Sequence, residues 1–184
     1  MGYSPEYHLP FDGIEHPVSI SQGRNGPWSH FRRGAYDLSN AVDFALPIGS
    51  EILSAREGIV LMHYDQGDEY YEGVDPEVGN NLRFMTNQIL ILHDDGTRAL
   101  YSHLEKGSVC VRPREPVASG QKIAETGLSG WIGDVPHLHF QVANENFRES
   151  LPVEFVEYEG PLEHGELFAA PLAYSRVLID TTVN

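Results

Sequence analysis

Glycine and proline punctuate this chain from end to end, and no stretch carries a long apolar stripe at helical spacing. The 18 Gly and 12 Pro residues cut it into short segments, and breakers at that density leave little room for long helices. What lies between them is short, β-branched and often alternating, which reads as strand. The strand candidates are residues 18–21, 41–46, 58–64, 88–93, 98–104, 108–112, 122–125, 137–142 and 153–158. Asp94-Asp95-Gly96-Thr97 joins two of these, and Asp-Gly in so short a connection marks a hairpin. The expected class is all-β, with long loops and little helix. A length of 184 residues with 41% hydrophobic content supplies a real core for one domain, or for one domain with a small appendage.

Charge and cysteine content remove several function classes. The formal net charge is −15, which argues against nucleic acid, because binding to phosphates needs clustered Lys and Arg. It argues equally against a polybasic membrane-surface protein. The single cysteine, Cys110, excludes an intramolecular disulfide framework and a multi-cysteine zinc site. No leader or spanning segment is visible, which leaves a cytoplasmic protein and a trimmed, exported domain as equal readings. The acidity is uneven. Residues 64–86 hold six acids and one base, and residues 145–184 hold eight acids and two bases. Both are expected to form acidic walls that favour cationic substrate groups, the first as a long loop and the second as a packed tail.

Nine histidines are many for this length, and three segments organise them. In Pro136-His137-Leu138-His139-Phe140-Gln141-Val142 the alternation is strict. His137, His139 and Gln141 fall on one face of a strand, and Leu138, Phe140 and Val142 on the other. The two imidazoles then project together, roughly 7 Å apart. In Ala41-Val42-Asp43-Phe44-Ala45-Leu46, Asp43 sits between two alanines opposite an apolar face. That leaves room for a ligand, although a carboxylate bonded to a nearby turn reads the same way. In Leu100-Tyr101-Ser102-His103-Leu104, Tyr101 and His103 share the face opposite Leu100 and Leu104. Convergence of His and Asp from separate strands is what a metal requires, and zinc takes imidazole nitrogen and carboxylate oxygen readily.

In these residues the chain resembles the lysostaphin/LytM-type zinc endopeptidases. The matching residues are Ala41-Val42-Asp43-Phe44-Ala45-Leu46-Pro47-Ile48-Gly49-Ser50, Ile52-Leu53-Ser54-Ala55-Arg56-Glu57-Gly58-Ile59-Val60, Ile91-Leu92-His93-Asp94-Asp95-Gly96, Tyr101-Ser102-His103-Leu104, Val117-Ala118-Ser119-Gly120-Gln121-Lys122-Ile123-Ala124, Thr126-Gly127 and the strand 136–142. The resemblance implies a compact antiparallel sandwich or barrel-like core of the duplicated hybrid motif type. It implies one Zn²⁺ per chain held by His30, Asp43 and His139, with His103 and His137 as catalytic histidines. Tyr101 and Trp131 are expected to contact substrate. The family spacing is His-x3-Asp, whereas His30 precedes Asp43 by 13 positions, so the span between them must loop out. His16 is the fallback ligand and Asp37 the rival carboxylate.

The implied activity is hydrolysis of peptide bonds, in peptidoglycan cross-links or stem peptides, by a metal-activated water assisted by two histidines. No His-Glu-x-x-His helix is present to supply a glutamate base. The implied location is the cell envelope or outside the cell, the partner a peptide, and the chain a monomer. The expected layout is a lead-in with one strand (1–27), a catalytic core (28–144, with 64–86 inserted) and an acidic extension (145–184). Two other readings stay open. One is a non-haem iron oxygenase, which also uses two His and a carboxylate. The other is a degenerate family member serving as a cell-wall binding or regulatory module. His8, His16 and His164 read as solvated, His63 and His93 as surface or turn residues, and Cys110 as a small structural residue. Residues 127–133 read as a flexible loop bordering the substrate groove.

Overall fold

Short strands make up nearly all the regular structure, as the spacing of glycine and proline dictates. The computed structural model describes residues 7–12, 17–34, 36–73, 75–82, 85–158, 160, 162–163, 165 and 167–168. His16, His164 and the sequence beyond Phe168 lie outside the described residues. In chain order the elements are β1 (Val18–Gln22), β2 (Arg32–Arg33), β3 (Tyr36–Asp37), β4 (Val42–Ala45), β5 (Glu51–Leu53), β6 (Gly58–Tyr64), β7 (Tyr70–Tyr71), α1 (Pro76–Leu82), β8 (Gln88–Leu92), β9 (Arg98–Ser102), β10 (Pro116–Val117), β11 (Lys122–Glu125), β12 (Gly130–Trp131), β13 (His137–Ala143), β14 (Ser150–Leu151) and β15 (Leu167–Phe168).

Nine strands form one antiparallel sheet in the order β10-β6-β8-β9-β13-β4-β1-β15, with β14 also paired to β13. β13 lies between β9 and β4 and is buried along its whole length. Residues opposite one another in such pairing point to the same side. Phe140 faces Val42 and Tyr101, and Leu138 faces Phe44, so this side is apolar. β5 and β11 form a separate antiparallel ribbon, whose Ile52 and Ile123 join the same core as Val60, Ile89 and Ile91. Burying each such side chain contributes about 1.5–3 kcal/mol. The first described residues take part as well. Tyr7 bridges to Phe155, Phe11 bridges to Ile52, and both rings are buried.

The structure departs from the sequence expectation in three places. Residues 108–112 are not a strand. Cys110 N–H reaches Ile123 O (3.0 Å), but Ser108 and Glu115 close turns onto Glu105 and Arg112, so no ladder extends. Residues 153–158 reduce to isolated bridges at Phe155, because Tyr158 N–H turns back onto Phe155 O (3.1 Å). The span 64–86 is more ordered than a loop. It holds β7, paired in parallel with β12, and the seven-residue helix α1. Asp75 Oδ1 accepts the Glu77 N–H (2.9 Å) and Pro76 follows it, which is a helix start of the usual chemistry. Among the described residues no helix is long and apolar enough to cross a membrane.

Candidate metal centre

The polar side of the central strands carries the candidate site. His139 stands opposite Asp43 on β4 and opposite Ser102 on β9, and His137 stands opposite Ala45. The alanines at 41 and 45 keep the space around Asp43 open, and the apolar residues that alternate with these positions anchor both strands in the core. His30 arrives from outside the sheet. The residues between His30 and Asp43 fold into the β2–β3 hairpin. Its base is tied by Leu38 N–H to Phe31 O (3.5 Å), Ala41 N–H to Leu38 O (2.9 Å) and Asn25 N–H to Ser39 O (2.8 Å). The gap of 13 positions therefore closes without separating its ends.

The three residues converge. One potential ligand atom from each of His30, Asp43 and His139 lies within 4.8 Å of the other two. His139 Nδ1 is 2.8 Å from Asp43 Oδ1, and His30 Nε2 is 3.2 Å from Asp43 Oδ2. His30 Nδ1 donates to the Gly23 carbonyl (2.9 Å), which can only accept, so in the neutral ring Nε2 carries the lone pair. That nitrogen is fully buried and has no hydrogen bond of good geometry. A lone pair and a carboxylate this close need a positive charge between them. Two imidazoles and a carboxylate form the donor set of a catalytic zinc site, with a fourth position left for water, so the residues fit the ion.

The electrostatics agree with that geometry. Burial alone would raise the Asp43 pKa, but the surrounding histidines, His30 foremost, hold it well below the ordinary carboxylate range. Burial would lower His30, and the Asp43 carboxylate outweighs it, leaving the net shift upward. His139 is shifted down, chiefly by burial.

His103 and His137 flank the three. Their rings stack edge to face with centroids 4.6 Å apart, and His103 lies 6.1 Å from the His139 ring. His137 Nδ1 donates to Val135 O (2.8 Å), and its Nε2 is 3.7 Å from Asp43 Oδ2. His103 Nδ1 donates to Ser129 O (2.8 Å). Ser129 is itself held, its hydroxyl donating to Leu104 O and accepting the Asn87 N–H. Burial, then the charges of His137 and His139, push the His103 pKa down to about 3. Both rings therefore spend Nδ1–H on a carbonyl and keep Nε2 as an acceptor.

A cleft opens over these groups, lined by Ser21, Gln22, Trp28, Ser29, Gly73, Trp131 and the segment 132–135. Trp131 thus forms part of the cleft wall, its Nε1–H donating to Gly73 O (2.8 Å). None of the acids of 64–86 lines the cleft; among the described residues of that span only Gly73 does, and Asp134 is the carboxylate at the rim. Tyr101 is a correction. It does not line the cleft but is wholly buried in the core, edge-on to Phe140, with the Ala55 N–H donating to its hydroxyl (2.8 Å). The shared face expected for Tyr101 and His103 fails because β9 ends at Ser102 and His103 adopts φ +65°. That left-handed turn swings His103 toward the site, while Tyr101 keeps the parity of the core.

Asp37 does not join the centre, since its carboxylate accepts from Ser39 N–H, Ser39 Oγ and Ser150 N–H. His93 is buried rather than exposed, donating from Nδ1 to Glu57 O (2.8 Å). His8 pairs with Glu157 at 2.6 Å, and Cys110 is exposed. The sequence reading missed Gln22, which touches Asp43, and the Asn87–Ser129 support of His103. No signal in the sequence marked either, since Gln22 lies between Ser21 and Gly23 and Asn87 between Thr86 and Gln88.

Comparison with known proteins follows the same residues. The model of Peptidase family M23 matches residues 37–151, a span that holds Asp43, His103, His137 and His139 and begins after His30. Peptidoglycan DD-endopeptidase ShyB of Vibrio cholerae serotype O1 is 31% identical over 143 residues, covering 78% of this chain and 28% of that protein. Peptidoglycan DD-endopeptidase ShyA of the same organism is 31% identical over 105 residues, covering 56% of this chain and 20% of that protein. The chain therefore spans less than a third of the length of these curated relatives. A crystal structure of a zinc-containing peptidase from Vibrio cholerae shares the fold, with a TM-score of 0.52 at 21% identity over 83% of this chain and 41% of that one. With a family match across well over half its length, the chain belongs to peptidase family M23.

Proposed function

We propose that this chain is a zinc-dependent endopeptidase that hydrolyses peptide bonds in peptidoglycan cross-links or stem peptides at the cell envelope. The observation that carries the reading is the convergence of His30, Asp43 and His139 beneath the cleft, with a buried imidazole nitrogen 3.2 Å from a carboxylate oxygen and no hydrogen bond of good geometry. The substrate class rests on the likeness to relatives named peptidoglycan DD-endopeptidases. His30, Asp43 and His139 would hold the ion. Bound there, zinc lowers the pKa of a coordinated water toward about 7 and polarises a carbonyl.

The remaining work falls to two side chains. One of His103 and His137 accepts the proton of the attacking water at Nε2, and the other, once protonated at Nε2, donates to the developing oxyanion or to the leaving amine. The Nδ1–H bonds to Ser129 O and Val135 O fix ring orientation, so neither ring must reorganise when the substrate arrives. The depressed pKa of His103 keeps it neutral and able to accept at physiological pH. Trp28 and Trp131 supply the apolar walls against which a peptide lies. The catalytic unit is residues 28–144, with the segments before and after it completing the sheet.

The test is digestion of purified peptidoglycan with and without a chelator, with the products identified by mass. New termini that appear only without chelator are expected. Their absence in both arms would replace this reading with the non-catalytic module.

A further inference from the structure

We propose that Gln22 is a positioning residue for the metal centre. It ties the Asp43 carboxylate and the turn that delivers His30 into one hydrogen-bonded frame. The inference rests on the metal-site reading above and assigns a role to a residue outside the ligand set.

Gln22 is 5% exposed, and every hydrogen-bonding capacity of its amide is used. Its Nε2 donates to Asp43 Oδ2 (3.0 Å) and to Ser29 Oγ (2.9 Å). Its Oε1 accepts the N–H groups of Trp28 (3.0 Å) and Ser29 (2.9 Å). These partners fix the orientation of the amide. Flipped, it would set its oxygen against the Asp43 carboxylate and its NH₂ against two N–H groups. The residue beyond Ser29 is His30. A single side chain thus touches one candidate ligand directly and braces the backbone of the other.

The backbone is bent to make this contact. β1 and β4 pair Ile20 with Phe44 and then Gln22 with Asp43, leaving Ser21 as an extra residue. Without that bulge, Ser21 would face Asp43, and Gln22 would fall opposite Val42 on the apolar side. The turn after β1 also closes around Gln22. Gly26 N–H bonds Gly23 O (3.1 Å), the carbonyl that also receives His30 Nδ1–H (2.9 Å). A Cβ on Gly26 would overlap Gln22 Cγ. As a neutral donor, Gln22 holds Oδ2 of Asp43 without cancelling the charge that a cation needs, as a lysine or arginine there would. Partners of this kind orient metal-binding side chains, and their loss typically costs about 10–100-fold in metal affinity.

The experiment measures zinc affinity by competition with a chromophoric chelator, and the visible ligand-field bands of the cobalt(II)-loaded protein, for wild type, Gln22→Met and Gln22→Glu. Gln22→Met removes all four bonds. Gln22→Glu keeps an oxygen for the Trp28 and Ser29 N–H groups and replaces the NH₂ that donates to Asp43 Oδ2 and Ser29 Oγ. The expected result is zinc binding weakened about 10–100-fold in Gln22→Met, with the cobalt bands shifted in both variants. Wild-type affinity and unshifted bands in a folded Gln22→Met would overturn the proposal. Should Gln22→Met fail to fold, unshifted bands in Gln22→Glu overturn it instead. A wild-type protein that takes up neither metal removes the metal-site reading itself, whereas metal-loaded variants indistinguishable from wild type remove only the role of Gln22.

Discussion

His103 shows how a single backbone angle sends a side chain to the candidate site. Its φ of +65° is uncommon for a non-glycine residue and costs of order 1 kcal/mol or more. The cost is met by Ser129 and Asn87, which hold the ring and the chain around it. The ligand and proton-transfer roles separate under mutation. His103→Ala or His137→Ala is expected to lower cleavage by about 10²–10⁴-fold while one zinc per chain stays bound. Asp43→Ala or His139→Ala is expected to lose the metal first, as read by metal analysis after dialysis. Metal loss in the His103 or His137 variant would reverse the assignment. At this scale the sequence was legible wherever a residue obeyed strand parity, as His137, His139 and Asp43 do. It misled at Tyr101, because parity was extended one residue past the end of β9. It was silent on Gln22, whose position depends on a bulge that alternation does not encode.

At the scale of elements, the insertion between β6 and β8 supports the cleft rather than filling it. β7 pairs with β12, and α1 lays Gly79 against the indole of Trp131, where a Cβ would overlap the ring. Gly79→Ala should therefore push Trp131 out of place. The exchange favours the helix by up to about 1 kcal/mol, so weakened helicity would not explain a defect. The expected outcome is a fall in kcat/KM, up to about 10²-fold if the wall moves by an ångström, with zinc content unchanged. Kinetics indistinguishable from wild type would show that the Trp131 wall does not position substrate. Most strands were readable from alternation and turn residues. α1 was not, since seven residues are too few to show a period, although Asp75-Pro76 marks its start. Residues 108–112 carry strand-like valines but lack a neighbour to pair with, and pairing is a property of the fold rather than of the segment.

Across the whole molecule, the segment that begins at Tyr7 is fastened to the hairpin at residues 94–97. Arg56 donates to Asp94 and Asp95 and lies 5.7 Å from the Tyr7 ring centroid, and the Tyr7 hydroxyl is 3.1 Å from Thr97 Oγ1. Burial would raise Asp95, but its bonds from Thr97 and Arg56 pull it down to about 2. Its pKa is about 3.9 in the unfolded chain, so the unfolded state binds protons first as pH falls. The stabilisation is complete above about pH 4 and is lost as pH drops through about 2. Melting temperature should fall more steeply between pH 4 and pH 2 for wild type than for Asp95→Asn. Parallel curves would show that this cluster does not hold the segment at Tyr7.

The β2–β3 hairpin has a consequence for how such a centre tolerates change in length. Closing a flexible segment costs only about 0.6 kcal/mol for each doubling of its residues. Growing from three intervening residues to the twelve between His30 and Asp43 is two doublings, about 1.2 kcal/mol, and the bonds at the hairpin's base offset a loss of that size. Distance along the chain is therefore nearly independent of distance in space at this point. A search keyed to fixed ligand spacing passes over His30, and the hairpin becomes a place where sequence can be exchanged while the geometry of the candidate centre is kept.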